Sequence, residues 1–204
     1  LTQMTLVSVS ETVPPVSPIE GAVYGVPPGA ASAWAGQAGH VAIGIGGGWV
    51  FVPARRGWRA MVLDTGQPAL FDGTHWRVGA VTLTPGGASL AMRSVEADVV
   101  LSPGASVVTS LVFPARSIAL GVTGRVTAEI IGTASMWEIG VDGDSARYGT
   151  GLGASLNFSL NGPGTPMVYW EPTALVVTGV GGDFAGGTIR LAAHFAELSP
   201  PVPV

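Results

Sequence analysis

The sequence predicts an all-β protein, with a small tryptophan-rich β-meander domain followed by a jelly-roll-like antiparallel β-sandwich. Short runs rich in Val, Thr, Ile and aromatic residues recur along the chain, and Gly, Pro or Asp-Gly turn signals separate them. In the longer runs apolar and polar residues alternate, as they do in half-buried strands. The chain of 204 residues contains 31 Gly and 16 Pro, which suits many tight turns.

Four segments are predicted along the chain. Residues 1–20 are an extended connector, because a proline-rich run removes backbone donors and favours an extended path. Residues 21–80 are the meander domain, which has four of the six tryptophans and a hairpin signal at Asp72-Gly73. Residues 81–97 are a linker whose periodicity does not distinguish a helix from a strand. Residues 98–204 are the C-terminal β-sandwich.

Seven strand-like runs predict this sandwich, with turn signals at 102–104, 161–164 and 181–183. The runs are 106–113, 117–130, 135–141, 156–160, 166–170, 174–180 and 187–198. The second and third runs fit one antiparallel hairpin, in which Trp137 lies opposite Ala128 and both apolar faces point to the same core. A polar loop, residues 142–148, follows the hairpin.

The composition excludes several classes of partner and chemistry. Charged residues make up 11% of the chain, the formal net charge is -4, and all nine basic residues are Arg. Without a basic run we expect no nucleic acid partner. Without ~18 consecutive apolar residues we expect no membrane insertion. The lack of cysteine excludes disulfides, thiol chemistry and cysteine-ligated zinc.

Low charge also suggests that partner subunits cover part of the surface, since so uncharged a monomer would tend to associate. The first residue, Leu1, is not a natural start. We therefore expect the chain to be a piece of a longer protein.

No set of carboxylates or histidines makes a convincing catalytic site, so we expect no enzyme activity. A glycosidase usually needs two carboxyl groups about 5–9.5 Å apart, whereas strand geometry places Glu138 and Asp142 ~13 Å apart. In the hairpin register Glu129 and Glu138 are diagonal neighbours ~7–8 Å apart. An exposed ion pair of Glu138 with Arg125 explains that arrangement more simply. The sequence has no Gly-x-Ser-x-Gly motif that would supply a nucleophilic serine to any of the three histidines. Structural roles are therefore the better interpretation of these histidines.

The sequence Asp142-Gly143-Asp144 could begin a calcium loop. However, Arg147 places a cation where an acceptor is needed. We therefore expect a hydrogen-bonded turn with Asp144 paired to Arg147, no metal and no cofactor.

Aromatic rings beside hydrogen-bonding side chains suit a sugar ligand, because sugars have apolar C–H faces and hydroxyls. By alternation Trp137 points inward and is assigned to the core, and Phe184 is assigned to a buried anchor. Structural packing stays an alternative for each remaining ring. The candidate glycan-binding residues are Asp142, Asp144, Arg147, Tyr148, Tyr169, Trp170 and Asp183.

Four ordered sequence blocks point to a family. They are SPIEG at residues 17–21, WAGQAG at 34–39, GWVFVPARRGW at 48–58 and FDGTHW at 71–76. This stretch resembles an uncharacterised domain of the fibre proteins of alphaproteobacterial phages and gene transfer agents. Ala54 departs from the family pattern and lengthens the spacing between Pro53 and Gly57. The chain after Gly121 is similar to the C-terminal β-domain of such fibres, among them head-spike fibres.

The resemblance implies a non-enzymatic, homotrimeric fibre tip on the surface of an extracellular phage-like particle. Its C-terminal domain would bind host capsular polysaccharide, and its N-terminal side would contact other particle proteins. The resemblance identifies no binding residue. Two alternatives stay open: a capsule depolymerase whose carboxylates meet across a subunit boundary, and a purely structural collar or adaptor.

Overall fold

The computed structural model describes residues 3–201. Within this range the protein is all-β apart from one 3-10 helical turn, Ser32–Trp34, which confirms the predicted fold class. The chain divides into two compact units. The N-terminal unit comprises the described residues up to Met92 together with residues 198–201, and the C-terminal unit is Arg93–Glu197.

The N-terminal unit contains two small sheets made mainly of consecutive strands. Its strands are β1 (Thr5–Leu6), β2 (Val23–Gly25), β3 (His40–Ile45), β4 (Gly48–Pro53), β5 (Arg59–Val62), β6 (Gln67–Phe71), β7 (Trp76–Val78) and β8 (Ala80–Leu83). The sheet orders are β2-β3-β4 and β1-β5-β6-β7. All these pairs are antiparallel except β1 with β5, so both sheets contain the predicted meander. The Asp72-Gly73 signal lies in the turn of the predicted hairpin, between β6 and β7.

Aromatic rings fill the core of this unit. Trp34 is fully buried, and its ring centroid lies 5.3 Å from that of Tyr24 and 5.2 Å from that of Trp49. Trp58 and Trp76 pack against a second small cluster around Leu6, Val41 and Ala60. Leu6 belongs to the segment predicted as an extended connector, where β1 also lies. All four tryptophans of this unit therefore stabilise its fold.

The C-terminal unit is a sandwich of two four-stranded antiparallel sheets. Its strands are β9 (Ser89–Val100, which begins in the N-terminal unit), β10 (Ser106–Phe113), β11 (Ser117–Gly132), β12 (Met136–Val141), β13 (Asp144–Leu152), β14 (Ser159–Tyr169), β15 (Thr173–Val180) and β16 (Phe184–Ser199). The strand orders of this unit, β14-β11-β16-β9 and β10-β15-β12-β13, are those of a jelly roll, in which two Greek keys form the two sheets. β8 pairs with the first residues of β9 and continues the first of these sheets as a fifth strand. The segment 81–97, predicted as a linker, contains most of β8 and β9.

The inner faces of the two sheets form one core, and several sequence-based assignments to it are confirmed. Trp137 is fully buried and Phe184 is 2% exposed. The alternation expected in the longer runs is also observed on β16, where Ile189, Leu191, Ala193 and Phe195 are all buried. The alternation identified these residues because it is a local property of one strand.

The predicted hairpin of 117–130 with 135–141 is wrong, because β11 and β12 lie in different sheets. Both edges of β11 are occupied, by β14 and by β16, while β12 pairs with β13 and β15. Bulges also interrupt β11, one of them between Ala119 and Gly121. As a result Ala119 is buried, whereas Ile118 and Leu120, which the apolar face of the predicted hairpin would include, are half-buried.

Two turn assignments are also corrected. The polar loop expected at 142–148 is only a two-residue turn, since β13 begins at Asp144. The turn expected at 161–164 lies inside β14, where Gly121, Val122 and Thr123 of β11 pair with it. A Cβ at Gly162 would collide with the Tyr148 carbonyl, so this glycine allows a close approach of two strands rather than a turn.

Candidate functional site

An open groove of about 890 Å³ lies on the outer face of the sheet β10-β15-β12-β13. Val108, Ala174 and Val176 form its floor, and Ser106 and Thr178 add hydroxyls. Val108 and Val176 are cross-strand partners, and Val108 is 69% exposed. The groove therefore presents a solvent-facing apolar strip bordered by hydrogen-bonding groups, within the size range of ligand sites.

The tight turn Asp142-Gly143 forms one wall of the groove. It joins β12 to β13, with Val141 and Asp144 paired at the strand ends. Gly143 adopts the left-handed conformation, φ 80°. A Cβ at Gly140 would collide with the Asp144 carbonyl, so a glycine there lets the turn close tightly. Both carboxylates, Asp142 and Asp144, belong to exposed residues that line the groove.

Asp144 is paired with Arg147, as the sequence predicted. Arg147 Nη1 lies 3.4 Å from Asp144 Oδ2. The same guanidinium lies over the ring of Tyr148, with its carbon 5.9 Å from the ring centroid. The Asp144 side chain is 50% exposed. It can therefore still accept hydrogen bonds from a ligand.

Tyr169 and Pro172 contribute to the lining of the groove. The buried Tyr148 holds Tyr169 in place through its hydroxyl group. The two hydroxyl oxygens of the tyrosines lie 3.0 Å apart, and Tyr169 stacks on Phe113 with ring centroids 5.6 Å apart. Tyr148 itself is 3% exposed, so its ring belongs to the core and does not face a ligand as expected. Burial, together with the hydrogen bond to Tyr169, raises the pKa of Tyr148, which therefore stays neutral.

Trp170 is the most exposed large aromatic side chain among residues 3–201, at 73%. In the sequence it lies between Tyr169 and Pro172, which both line the groove. Structural packing does not require so exposed an indole ring. Trp170 is thus available for contact with a ligand.

Asp183 lies at the other end of the sandwich, in the turn between β15 and β16. The backbone N–H groups of Thr133 and Ala134 donate to its carbonyl oxygen at 2.9 and 3.1 Å. Asp142 follows the opposite end of β12, which pairs with β15 along its length. Five residue steps of strand separate the two ends by ~17 Å. The structure therefore does not bring Asp183 to the groove.

The predicted ion pair of Arg125 with Glu138 is wrong, because the hairpin register on which it depended does not form. Arg125 Nη1 donates to the Asn157 carbonyl oxygen at 3.0 Å. Glu138 Oε2 accepts from Thr150 Oγ1 at 3.2 Å. Glu129 and Glu138 lie on strands of different sheets, so they are not the diagonal neighbours that the hairpin implied.

Two histidines form hydrogen bonds that suit structural roles. His194 lies between two hydroxyls, with Nε2 2.8 Å from Thr123 Oγ1 and Nδ1 2.8 Å from Ser94 Oγ. His40 Nδ1 lies 3.1 Å from the Gln37 carbonyl oxygen. In the described part of the chain, no group of three or more His, Asp or Glu could hold a metal ion. No helix found there has the length and apolar character needed to cross a bilayer.

The floor of the groove was missed by the sequence analysis. Alternation along the runs 106–113 and 174–180 could have placed its residues on one face of each strand. It could not show that β10 and β15 are neighbours, or that the Asp142-Gly143 turn lies beside them. The missed residues are Ser106, Val108, Ala174, Val176 and Thr178.

Comparisons with known proteins give one family match. A family model described as a protein of unknown function (DUF2793) matches residues 1–77, which include all four sequence blocks noted above. No curated protein matches the chain. Among solved structures, the chain is similar to a chain of the structure titled "Cyanophage Pam1 capsid asymmetric unit". The identity is 19% and the TM-score 0.37, over 58% of this chain and 86% of that chain.

Proposed function

We propose that this chain is a non-enzymatic attachment component, a fibre or head-spike tip, of a phage-like particle. Its C-terminal unit binds capsular polysaccharide of the host cell without cleaving it. The open groove on the β10-β15-β12-β13 sheet is the observation on which this proposal rests. The resemblance of residues 17–76 to a fibre-protein domain supports the particle context. The jelly-roll fold, which also occurs in capsid and lectin domains, is compatible with both parts of the proposal.

The chemistry of the groove suits a carbohydrate chain. Val108 and Val176 offer an apolar floor for the C–H faces of sugar rings, and the carboxylates of Asp142 and Asp144 accept hydrogen bonds from sugar hydroxyls. Tyr169 has a ring held in place by stacking and by Tyr148. Such preorganised side chains lose little conformational entropy on binding. An open groove also lets a long polysaccharide continue beyond the residues bound.

Replacing Trp170 by alanine is expected to weaken capsule binding about tenfold, because the exposed indole ring no longer covers a sugar face. Biolayer interferometry with immobilised capsule would measure the change. Ile131→Ala is the matched control, since Ile131 is also exposed (58%) but lies at the far end of β11 from the groove. Equal affinities of Trp170→Ala and the unmodified protein would remove Trp170 from the site. Lack of binding to every capsule in a broad panel would contradict the proposed function itself.

The proposal includes a homotrimer. Exposed apolar side chains on the C-terminal unit, such as Val100 (70%) and Leu156 (54%), are surface that neighbouring subunits would cover. Sedimentation equilibrium at micromolar concentration is expected to give three times the 20.6 kDa of one chain. A monomer mass under these conditions would rule the trimer out.

We further propose that the protein lies on the surface of an extracellular particle and contacts other particle proteins through its N-terminal side. Deleting the C-terminal unit should then block attachment to the host and leave particle assembly intact. Failed assembly would instead indicate a collar or adaptor. New reducing ends after incubation of the protein with capsule would indicate a depolymerase.

A further inference from the structure

Two arginines face each other on the outer surface of the sheet β14-β11-β16-β9. Arg125 of β11 and Arg190 of β16 are direct cross-strand partners. Like charges in this arrangement repel each other and destabilise a sheet. Asp98 compensates Arg190, whose Nε and Nη2 donate to its two oxygens at 2.7 and 2.8 Å. Glu96 adds a carboxylate oxygen 3.9 Å from Arg190 Nε.

Arg125 has no such compensation. Within residues 3–201 it takes part in no ion pair. Its guanidinium is nevertheless held in place, because Nη1 donates to the Asn157 carbonyl oxygen at 3.0 Å. Asn157 adopts a left-handed conformation, φ 67°, and its N–H donates to the Val126 carbonyl oxygen at 2.9 Å. The loop before β14 thus positions an exposed cation whose remaining N–H groups are free to donate.

A shallow depression of about 420 Å³ surrounds this cation, and hydrogen-bonding groups line most of it. Thr127 Oγ1 donates to the Thr188 carbonyl oxygen at 3.3 Å, so its lone pairs can accept from a ligand. Gly124 and Ala192, which have little or no side chain, also line it. The lining includes Glu96, Thr123, Arg125, Thr127, Ser159, Arg190 and Ala192.

We propose that this depression binds the carboxylate of an acidic sugar, so that the polysaccharide recognised by the protein contains uronic acid residues. Arg125 pairs with the carboxylate, since a guanidinium matches a carboxylate with two parallel hydrogen bonds. The hydroxyls of Thr127 and Ser159 and the carboxylate of Glu96 bind the hydroxyls of the same sugar. This inference rests on the proposed polysaccharide binding and adds to it a ligand class and a second subsite, on the opposite face of the sandwich from the groove.

The test compares binding of the whole chain to oligogalacturonate and to a neutral maltooligosaccharide of equal length, by isothermal titration calorimetry. We expect the acidic oligosaccharide to bind at least tenfold more tightly than the neutral one. This ratio of affinities should decrease from about 50 to 500 mM salt, because salt screens the attraction between the two charges. Arg125→Gln should abolish the preference. Arg55→Gln, which removes the same formal charge at an exposed position of the N-terminal unit, should retain it within about twofold.

Each other outcome overturns the inference in an identifiable way. An equal loss in both variants would mean that total charge, not this depression, causes the preference. A changed sedimentation mass of Arg125→Gln with unchanged sugar preference would mean that Arg125 contacts a neighbouring subunit. If the protein binds neutral glycan or capsule, and Trp170→Ala weakens that binding, but no acidic preference exists, only the inference fails. Lack of binding to any saccharide contradicts both the inference and the proposed function.

Discussion

Replacing Trp137 by alanine is expected to lower the free energy of unfolding of the C-terminal unit by about 3–5 kcal/mol. The side chain is fully buried between the two sheets. Its indole Nε1 donates to the Gly153 carbonyl oxygen at 2.8 Å. Truncation therefore leaves a cavity and removes a partly buried hydrogen bond at the same place, and both are costly. Urea unfolding followed by circular dichroism would measure the loss.

Two further variants test this account of Trp137. Trp137→Phe retains an aromatic ring in the core but removes the indole N–H, so we expect a smaller loss of about 1–3 kcal/mol. Trp170→Ala removes an indole that is 73% exposed, and its free energy of unfolding should stay within about 0.5 kcal/mol of the unmodified protein. Equal destabilisation by Trp137→Ala and Trp170→Ala would contradict the assignment of Trp137 to the core.

Trp137 also illustrates which part of this fold can be predicted from the sequence. Its inward direction follows from alternation with Glu138 along one strand, which needs no knowledge of neighbours. The same holds for Ile189 and Leu191 of β16. The pairing of strands cannot be read in this way, because the partners of β11 are β14 and β16, distant in sequence. A jelly roll is dominated by such non-local pairs, so the hairpin that sequence proximity favoured was wrong.

In the candidate site, too, the local features could be predicted from the sequence and the features that depend on strand pairing could not. The Asp144–Arg147 pair was predictable, because the two residues are three positions apart in the same short segment of chain. The positions of Tyr148 and Tyr169 were not. Tyr148 is buried because it lies within β13, which begins already at Asp144. The glycines at 149, 151 and 153 are typical of a loop, so the sequence did not indicate a strand here. The groove floor requires β10 and β15 to be neighbours, which only the folded sheet shows.

Replacing Asp72 by alanine is expected to cost the N-terminal unit about 2–3 kcal/mol, the usual loss when hydrogen bonds to a buried charged group are removed. The Asp72 side chain is fully buried. Its Oδ1 accepts from the backbone N–H groups of Thr74 and His75 at 2.7 Å each, and its Oδ2 accepts from Arg77 Nε at 2.6 Å. These bonds close the turn between β6 and β7. Asp64→Asn, at an exposed turn of the same unit, should change the free energy of unfolding at pH 7 by less than about 0.5 kcal/mol.

The contribution of Asp72 to stability should also depend on pH. Burial by itself would raise the pKa of Asp72, but the two backbone N–H groups and Arg77 outweigh burial and hold the pKa below its ordinary value. Because the pKa is lower in the folded than in the unfolded protein, the carboxylate stabilises the fold fully above the unfolded value of about 3.9. This stabilisation is lost as the pH falls from there through the folded pKa. The difference in free energy of unfolding between the unmodified protein and Asp72→Asn should therefore be constant from pH 7 to 5 and shrink towards pH 3. A difference that stays the same at pH 3 would show that the charge of Asp72 does not stabilise this turn.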